Sequence, residues 1–227
     1  MNCMIDQLAI GDKASFDDFC ASLKQRIIHA PKKKSIKETV PFSNRTYDFS
    51  AINGEVYWEE RQLDYIFEII ADSPEELERK KAFFSSWVMN VMNESIFDPF
   101  EPGFHYLGTF EDIDYDDDES IEKSTITVVF MAYPYKIANV QTIYNIGIPA
   151  ASNVTANVVN DSSHRIAPTL ITNVGIEIQR DGTIFAVPAG EVTDDSFMLE
   201  AGANALTISN PSDTDCVLTV KFFCEVF

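Results

Sequence analysis

The side chains that could perform chemistry are few in this sequence, and their spacing does not match known sites. The three histidines, His29, His105 and His164, lie far apart and form no H-E-x-x-H or similar zinc-binding spacing. The nine glycines form no phosphate-binding loop, and no G-x-S-x-G nucleophile elbow or C-x-x-C pair is present. We therefore expect a protein that is not an enzyme and that has no catalytic, metal or cofactor site.

The densest group of potential metal ligands is the acidic segment EDIDYDDDES. Counted from Asp112, the sixth position of a calcium loop would be Asp117 instead of glycine, and the twelfth would be Lys123 instead of glutamate, which excludes an EF-hand. The segment could still gather a weak cation, or it could be a solvated and self-repelling hairpin tip. Its candidate residues are Asp112, Asp114, Asp116, Asp117, Asp118 and Glu119.

The basic residues cluster in the stretch APKKKSIK, which contains Lys32, Lys33, Lys34 and Lys37. Two interpretations of this cluster stay open. It is either a solvated strand end or a contact for an acidic neighbouring surface.

The composition excludes several classes of protein. Seventeen Lys and Arg residues stand against 36 Asp and Glu, so the formal net charge is -19, and such a surface repels the phosphate backbone of nucleic acids. No apolar run approaches the ~18 residues needed to cross a bilayer, and the first residues lack the basic start of a signal peptide. We expect no sequence-specific nucleic acid binding, no membrane segment and synthesis in the cytoplasm. The 227 residues suffice for one large or two ordinary domains.

Local patterns predict the elements of the first part of the chain. The stretch from Arg61 to Ile70 alternates apolar and polar residues, as a half-buried strand does. A helix follows, with Ser73 as N-cap, Pro74 at the first position and Glu76 completing a capping box, and it is predicted to end near Met92. The runs FHYLGTF and STITVVFMAY predict a long hairpin around the acidic segment.

The composition changes near Asn139, where helix-forming runs and nearly all positive charges disappear. Short strand-like runs follow, and the pair Asp181-Gly182 suits a tight hairpin turn. The predicted fold is mainly β with one helix. The first 135 or so residues mix helix and strand signals, and the residues after the change have the pattern of a small all-β sandwich. A protease-sensitive joint is expected between Tyr135 and Tyr144.

The order of motifs over the first 137 residues resembles the distal tail protein family of phages with long non-contractile tails and of their prophages. The similar stretches are VPFSNRTYDFS, NGEVYWEERQLDYIFEI, SPEELERKKAFFSSWV and FDPFEPGFHYLG. The matching positions are Pro41, Tyr47, Asp48, Phe49, Ser50, Gly54, Tyr57, Arg61, Asp98, Tyr106 and Gly108.

This resemblance implies a ring-forming belt domain in residues 1–137, a β-sandwich with one helix and a protruding hairpin. It implies a galectin-like β-sandwich in residues 138–227. It implies a structural role at the virion tail tip, after synthesis and assembly in the bacterial cytoplasm. A hexameric ring would join the tail tube protein to the baseplate and the receptor-binding proteins and leave a channel for DNA. The acidic segment would then face the lumen or a basic neighbour.

The alternative function is a carbohydrate-binding module that acts in host adhesion through residues 138–227. Sugars stack on flat aromatic rings, tryptophan best, and both tryptophans, Trp58 and Trp87, precede this region. The aromatic candidates that remain are Tyr144, Phe185, Phe197, Phe222, Phe223 and Phe227, of which the last three are expected in the core.

Overall fold

The structure, a computed structural model, describes residues 6–39, 41–42, 44–50, 56–118 and 122–227. The chain forms two compact units, residues 1–136 and residues 137–227. Both are built from β-sheets, and the described residues contain one helix. The predicted fold class, mainly β with a single helix, is therefore confirmed.

The first unit is built on an antiparallel sheet with the strand order β2-β1-β7-β8-β9-β6-β3, and β4 and β5 form a separate two-stranded ribbon. The elements of its described residues are β1 Ala9–Ile10, β2 Lys13–Ala14, β3 Ser22–Ile28, β4 Lys37–Thr39, β5 Thr46–Asp48, β6 Arg61–Ile70, α1 Pro74–Val88, β7 Glu94–Phe97, β8 Phe104–Asp118 and β9 Lys123–Ala132.

The core of the first unit lies between this sheet and helix α1. Strand β6 buries every second residue, as its sequence predicts, and its register with β9 places buried side chains of both strands on one face. Phe84 of the helix is fully buried and packs edge-on against Phe67 of β6, with ring centroids 5.0 Å apart. Phe19 and Trp87 stack beside it at 4.7 Å.

Helix α1 begins as predicted and ends earlier. The Ser73 hydroxyl accepts a hydrogen bond from the Glu76 amide, and the Glu76 carboxylate accepts one from the Asp72 amide. The helix stops at Val88, four residues before the predicted end, because the chain turns there and reaches a positive φ of 54° at Asn93. The apolar period continues through the turn, since Val91 stays buried without being helical.

The long hairpin exists, but the acids from Asp112 to Asp118 lie in its first strand and not in its turn. Strand β8 continues through Asp118 and pairs with β9 from Gly108↔Ala132 to Asp118↔Lys123, with a bulge between Phe110 and Asp112. The prediction of a strongly acidic turn was wrong in this respect, because the acids alternate with residues that pack on the helix side of the strand.

The second unit is a β-sandwich of two four-stranded sheets, ordered β15-β12-β17-β10 and β11-β16-β13-β14. The Asp181-Gly182 turn joins β13 to β14, and both residues have positive φ, 49° and 82°, as the Asp-Gly signal predicts. Its strands are β10 Lys136–Ile148, β11 Ser152–Asn160, β12 Thr169–Thr172, β13 Ile176–Arg180, β14 Thr183–Val187, β15 Gly190–Thr193, β16 Gly202–Asn210 and β17 Cys216–Val226.

The predicted joint between Tyr135 and Tyr144 is not a loop. Nearly all of it belongs to β10, which pairs with β17 in the second unit. The change in composition marked the start of a strand, so the basis for a protease-sensitive linker at these residues is lost. No helix in the described parts of the chain is long and apolar enough to cross a membrane.

Candidate functional site

The acidic segment presents two different faces. After the bulge at Glu111, the residues Ile113, Tyr115 and Asp117 turn toward helix α1 and the core. The alternate residues turn the opposite way, and we call them the acidic row: Asp112, Asp114, Asp116 and Asp118, all exposed. Glu119, the sixth candidate from the sequence, lies outside the described residues.

The acids of the row do not face other acids across the hairpin. Their partners on β9 are Val129 for Asp112, Thr127 for Asp114, Thr125 for Asp116 and Lys123 for Asp118. No like charges of the row are therefore directly opposed across the described part of this hairpin. The row's repulsion acts along one strand, between alternate residues spaced about 7 Å apart.

Asp117 differs from the row because it holds the hairpin to the helix. Its carboxylate lies 2.5 Å from the Lys81 ammonium, and that hydrogen-bonded partner lowers the pKa of Asp117. The same ammonium sits 5.2 Å from the centroid of the Tyr115 ring, whose hydroxyl is 2.6 Å from the Ser85 Oγ. Asp117 is thus a structural residue, and a test of the row must leave it unchanged.

We expect Asp117→Asn to lower the free energy of unfolding of the first unit by about 0.5–1 kcal/mol, because it removes a partly exposed ion pair. The matched change Asp116→Asn, one residue away on the outer face, should leave stability unchanged or raise it slightly. Urea denaturation followed by tryptophan fluorescence measures both. Equal effects of the two substitutions would contradict the division of the segment into two faces.

The four lysines form an extended surface segment, which we call the lysine arm: Lys32, Lys33, Lys34 and Lys37, all exposed. The Lys34 amide donates to the Tyr57 carbonyl at 2.9 Å, and the Glu59 amide donates to the Lys32 carbonyl at 2.7 Å. Lys37 lies in β4, opposite Asp48 of β5. These contacts make the arm part of a backbone-paired surface segment, and its side chains remain in solvent.

The lysine arm borders an open cleft of about 440 Å³. Asp48 lies in this cleft, and the Ser50 hydroxyl and amide, which donate to its carboxylate, lower its pKa. The cleft also contains Lys33, Lys34, Ser35, Lys37, Ser50 and Val56. Its lining is therefore mixed in charge, with the cations in excess.

The structure does not bring the lysine arm and the acidic row together. The row lies beside the β6 segment from Asp64 to Ile70, through β9. The arm pairs with residues 57–59, which precede the other end of β6. Arg61, at the arm's end of β6, is three positions from Asp64, and no ion pair joins the lysines of the arm to the row in the part of the chain that the structure describes.

Sequence reasoning missed a polar network around Asp98, which is 4% exposed. The Arg26 Nη1 donates to Asp98 Oδ2 at 2.7 Å, and the hydroxyl of the fully buried Tyr65 donates to the same oxygen at 3.1 Å. The Phe100 amide donates to Oδ1 at 2.9 Å. Burial, together with the Asp98 charge, raises the pKa of Tyr65, so this hydroxyl keeps its proton and remains a donor.

Glu101 extends the network. Its carboxylate accepts hydrogen bonds from Arg26 at 3.1 Å, from the Tyr106 hydroxyl at 3.1 Å and from Lys136 at 2.7 Å. Burial opposes its ionisation, but these donors outweigh burial and lower its pKa. The segment between β7 and β8 is thereby fixed to β3, β8 and the first residue of β10.

This network gives a physical reason for several of the motif positions noted in the sequence. Arg61 is buried, donates to the His29 carbonyl at 3.1 Å and lies over the Tyr106 ring at 5.5 Å. A Cβ on Gly108 would stand 2.8 Å from Cδ1 of the fully buried Ile96. Asp98, Tyr106 and their neighbours are therefore structural, and Arg26 could not have been paired with them from local spacing.

The lowered pKa of Glu101 predicts acid sensitivity of the first unit. A carboxylate with a lowered folded pKa stabilises the fold above its ordinary value of 4.5, and this contribution is lost as the pH falls through the folded pKa. We expect the free energy of unfolding to fall as the pH drops from about 5 through and below the ordinary glutamate pKa, because the unfolded chain then binds a proton that folded Glu101 resists. Urea melts at a series of pH values measure it, and Glu101→Gln should flatten the profile. A profile as steep in this variant as in the parent would assign the acid sensitivity to other groups.

The aromatic candidates of the second unit differ in their exposure. Phe197 and Phe222 are buried, and Phe185 packs edge-on against Phe197 at 5.1 Å. The expectation that Phe223 and Phe227 lie in the core was wrong, since each is 43% exposed. Both follow the last fully covered part of β17, where the alternation of buried residues weakens.

The described residues contain no group of three or more His, Cys, Asp or Glu side chains placed to hold a metal ion. The acidic row is extended along a strand, so its carboxylates do not converge on one point.

Neither a protein-family profile nor a curated protein matches the sequence. Among solved structures, the chain is similar to the Dit (gp 19.1) protein of phage SPP1, described as a paradigm of the hub adsorption apparatus in phages that infect Gram-positive bacteria. The TM-score is 0.68 and the identity 15%, over 96% of this chain and 99% of that one.

The activated, calcium-containing baseplate of phage P2 contains a chain that matches with a TM-score of 0.41 and 8% identity, over 96% of this chain and 98% of that one. A score this low does not establish a shared fold, so the conclusion rests on the SPP1 protein. The chain has the fold of that distal tail protein, and the resemblance to the distal tail protein family is confirmed at the level of the fold.

Proposed function

We propose that the protein is a structural component of a phage tail tip, in which six copies form a ring between the tail tube and the baseplate. The observation that carries the proposal is the match to SPP1 Dit, which spans nearly the whole of both chains at a TM-score of 0.68. Because both units are included, the match supports a belt domain and a galectin-like domain in residues 1–137 and 138–227. A hub of this kind organises other proteins and is not an enzyme.

The charge of the chain fits a ring that surrounds DNA. With a net charge of -19, the surface repels the phosphate backbone, so DNA passing through the ring would not be retained by it. The acidic row is part of this surface and faces either the lumen or a partner. The partners are the tail tube protein and the receptor-binding proteins, and the location is the virion tail tip after assembly in the bacterial cytoplasm.

Light scattering of the purified chain over a concentration series tests the ring. A sixfold mass and ring-shaped particles in electron micrographs are expected. Mass spectrometry of purified virions tests the location, and removal of the gene should stop tail assembly. A monomer at every concentration, or infectious virions without the protein, would overturn the proposal.

The carbohydrate-binding alternative has the exposed rings of Phe223 and Phe227 as its candidates in residues 137–227, and no tryptophan lies there. An array of bacterial surface glycans probed with the full chain should therefore show no strong binding that free sugar competes away. The glycan-free buffer and a known lectin serve as controls. A competable signal that is lost on Phe223→Ala would instead support the alternative.

A further inference from the structure

We propose that the lysine arm of one copy docks on the acidic row of a second copy of this chain. This inference rests on the proposed function, because it names the surfaces through which neighbouring copies would meet in the ring. Its basis is the charge complementarity of two surfaces that form no ion pair with each other within the described residues of one chain.

The lysine arm has excess charge. Within the described residues, no carboxylate forms an ion pair with Lys32, Lys33 or Lys34. Lys37 has Asp48 opposite it, so at least three cations of the arm have no ionic partner in that part of the chain. Three adjacent cations of this kind repel one another, and an acidic surface would relieve that repulsion.

The acidic row carries the opposite excess. In the described parts of the chain no Lys, Arg or His side chain forms an ion pair with Asp112, Asp114 or Asp116. Asp117, on the other face, forms an ion pair with Lys81. Glu68 forms ion pairs with Lys24 and Lys123. Lys123 pairs with Glu68 and acts on Asp116 and Asp118 only as a nearby charge, so Asp112, Asp114 and Asp116 have no ion pair in the described residues and present an acidic surface.

The two surfaces also match in spacing. The arm is extended where it pairs with residues 57–59, so Lys32 and Lys34 project to the same side about 7 Å apart. Successive acids of the row lie on alternate residues of β8, with the same spacing of about 7 Å. Two extended segments can therefore place several cations against several carboxylates in one register.

The separation of the two surfaces determines the kind of assembly. The arm lies beyond the Arg61 end of β6 and the row lies beside Asp64 to Ile70, and the two do not pair within the described residues of one copy, so we assign their contact to two copies. Because different surfaces of each copy meet, the interface is heterologous, and such interfaces close into rings when the rotation allows it.

Zero-length cross-linking with a carbodiimide tests the contact directly, because it joins an amine to a carboxylate only where the two touch. The parent chain is mixed in equal parts with a ¹⁵N-labelled copy, and linked peptides are identified by mass spectrometry. We expect mixed-isotope links between the peptide containing Lys32, Lys33 and Lys34 and the peptide containing Asp112, Asp114 and Asp116. Their yield should fall by about tenfold when the NaCl concentration rises from about 50 mM to about 1 M.

Charge reversal provides the second measurement. One variant carries Lys32→Glu, Lys33→Glu and Lys34→Glu, and the other carries Asp112→Lys, Asp114→Lys and Asp116→Lys. Each alone should associate at least about a hundredfold more weakly than the parent, whereas an equal mixture should regain the parent mass, because each variant then complements the other. The matched control is Glu177→Lys, Asp195→Lys and Asp213→Lys, on exposed positions of the second unit, which should assemble like the parent.

The outcomes separate this inference from the proposed function. A sixfold mass without the expected links, or reversed variants that are folded and assemble as the parent does, would overturn the docking and leave the ring standing. Mixed-isotope links without a sixfold mass would support the docking and count against the ring. A parent chain that gives no mixed-isotope link at any concentration would overturn the docking.

Discussion

Replacing Phe84 by alanine is expected to lower the free energy of unfolding of the first unit by about 3–5 kcal/mol. The Phe84 ring is fully buried, and it contacts the rings of Phe67, Phe19 and Trp87 with centroids between 5.0 and 6.2 Å away. Its removal would leave a cavity between the helix and the sheet, because the rigid strands β6 and β9 cannot close over it. The loss is comparable to the whole stability of a small domain.

Phe83 gives the matched control, because it is the neighbouring residue of the same helix and is 63% exposed. Phe83→Ala removes the same atoms with similar helix propensity and should change stability by less than about 0.5 kcal/mol. Both tryptophans lie in the first unit, so their fluorescence during urea denaturation reports this unit alone. Similar losses for the two variants would mean that the helix does not pack as described.

The sequence predicted the elements whose signals are local. The alternation in β6, the cap of α1 and the Asp-Gly turn each depend on residues that are close together in the sequence. All three are present in the structure. The end of α1 was less certain, because Val91 continues the apolar period after the backbone has left the helix. Val91 is buried but not helical, and the apolar period reports only that a residue is buried. It therefore cannot show where the helix ends.

The role of the acidic segment was only half predictable. Its composition suggested a turn, yet Asp112, Ile113, Asp114 and Tyr115 already alternate between polar and apolar residues, which is the pattern of a strand with one covered face. That signal could have placed the acids in β8. The contact of Asp117 with Lys81 could not have been inferred, because it depends on where the helix crosses the hairpin.

The polar network around Asp98 could not be predicted from the sequence, for a different reason. Arg26 and Asp98 are 72 residues apart and meet only because the fold brings the segment after β7 against β3. The motif positions Asp98 and Tyr106 were recognised, but their partners Arg26 and Glu101 carry no local signature. A long-range ion pair depends on the tertiary fold, so local sequence patterns cannot show which acid pairs with which base.

Asp98→Ala is therefore expected to cost about 3 kcal/mol, the second large effect. The substitution leaves the buried Tyr65 hydroxyl and the Phe100 amide without their acceptor and leaves the partly buried Arg26 with Glu101 alone. Tyr65→Phe is the matched control, because it removes one hydrogen bond and keeps the ion pair, and it should cost about 1 kcal/mol.

Urea denaturation followed by tryptophan fluorescence measures both variants. The double variant, Asp98→Ala with Tyr65→Phe, tests whether the two residues are coupled. If the hydroxyl depends on Asp98, adding Tyr65→Phe to Asp98→Ala should cost less than Tyr65→Phe costs in the parent, because the unpaired hydroxyl is then removed. Strict additivity of the two losses would show that Tyr65 and Asp98 are not coupled. In that case the 3.1 Å contact would not be a working hydrogen bond, and the network would reduce to the Arg26 ion pairs.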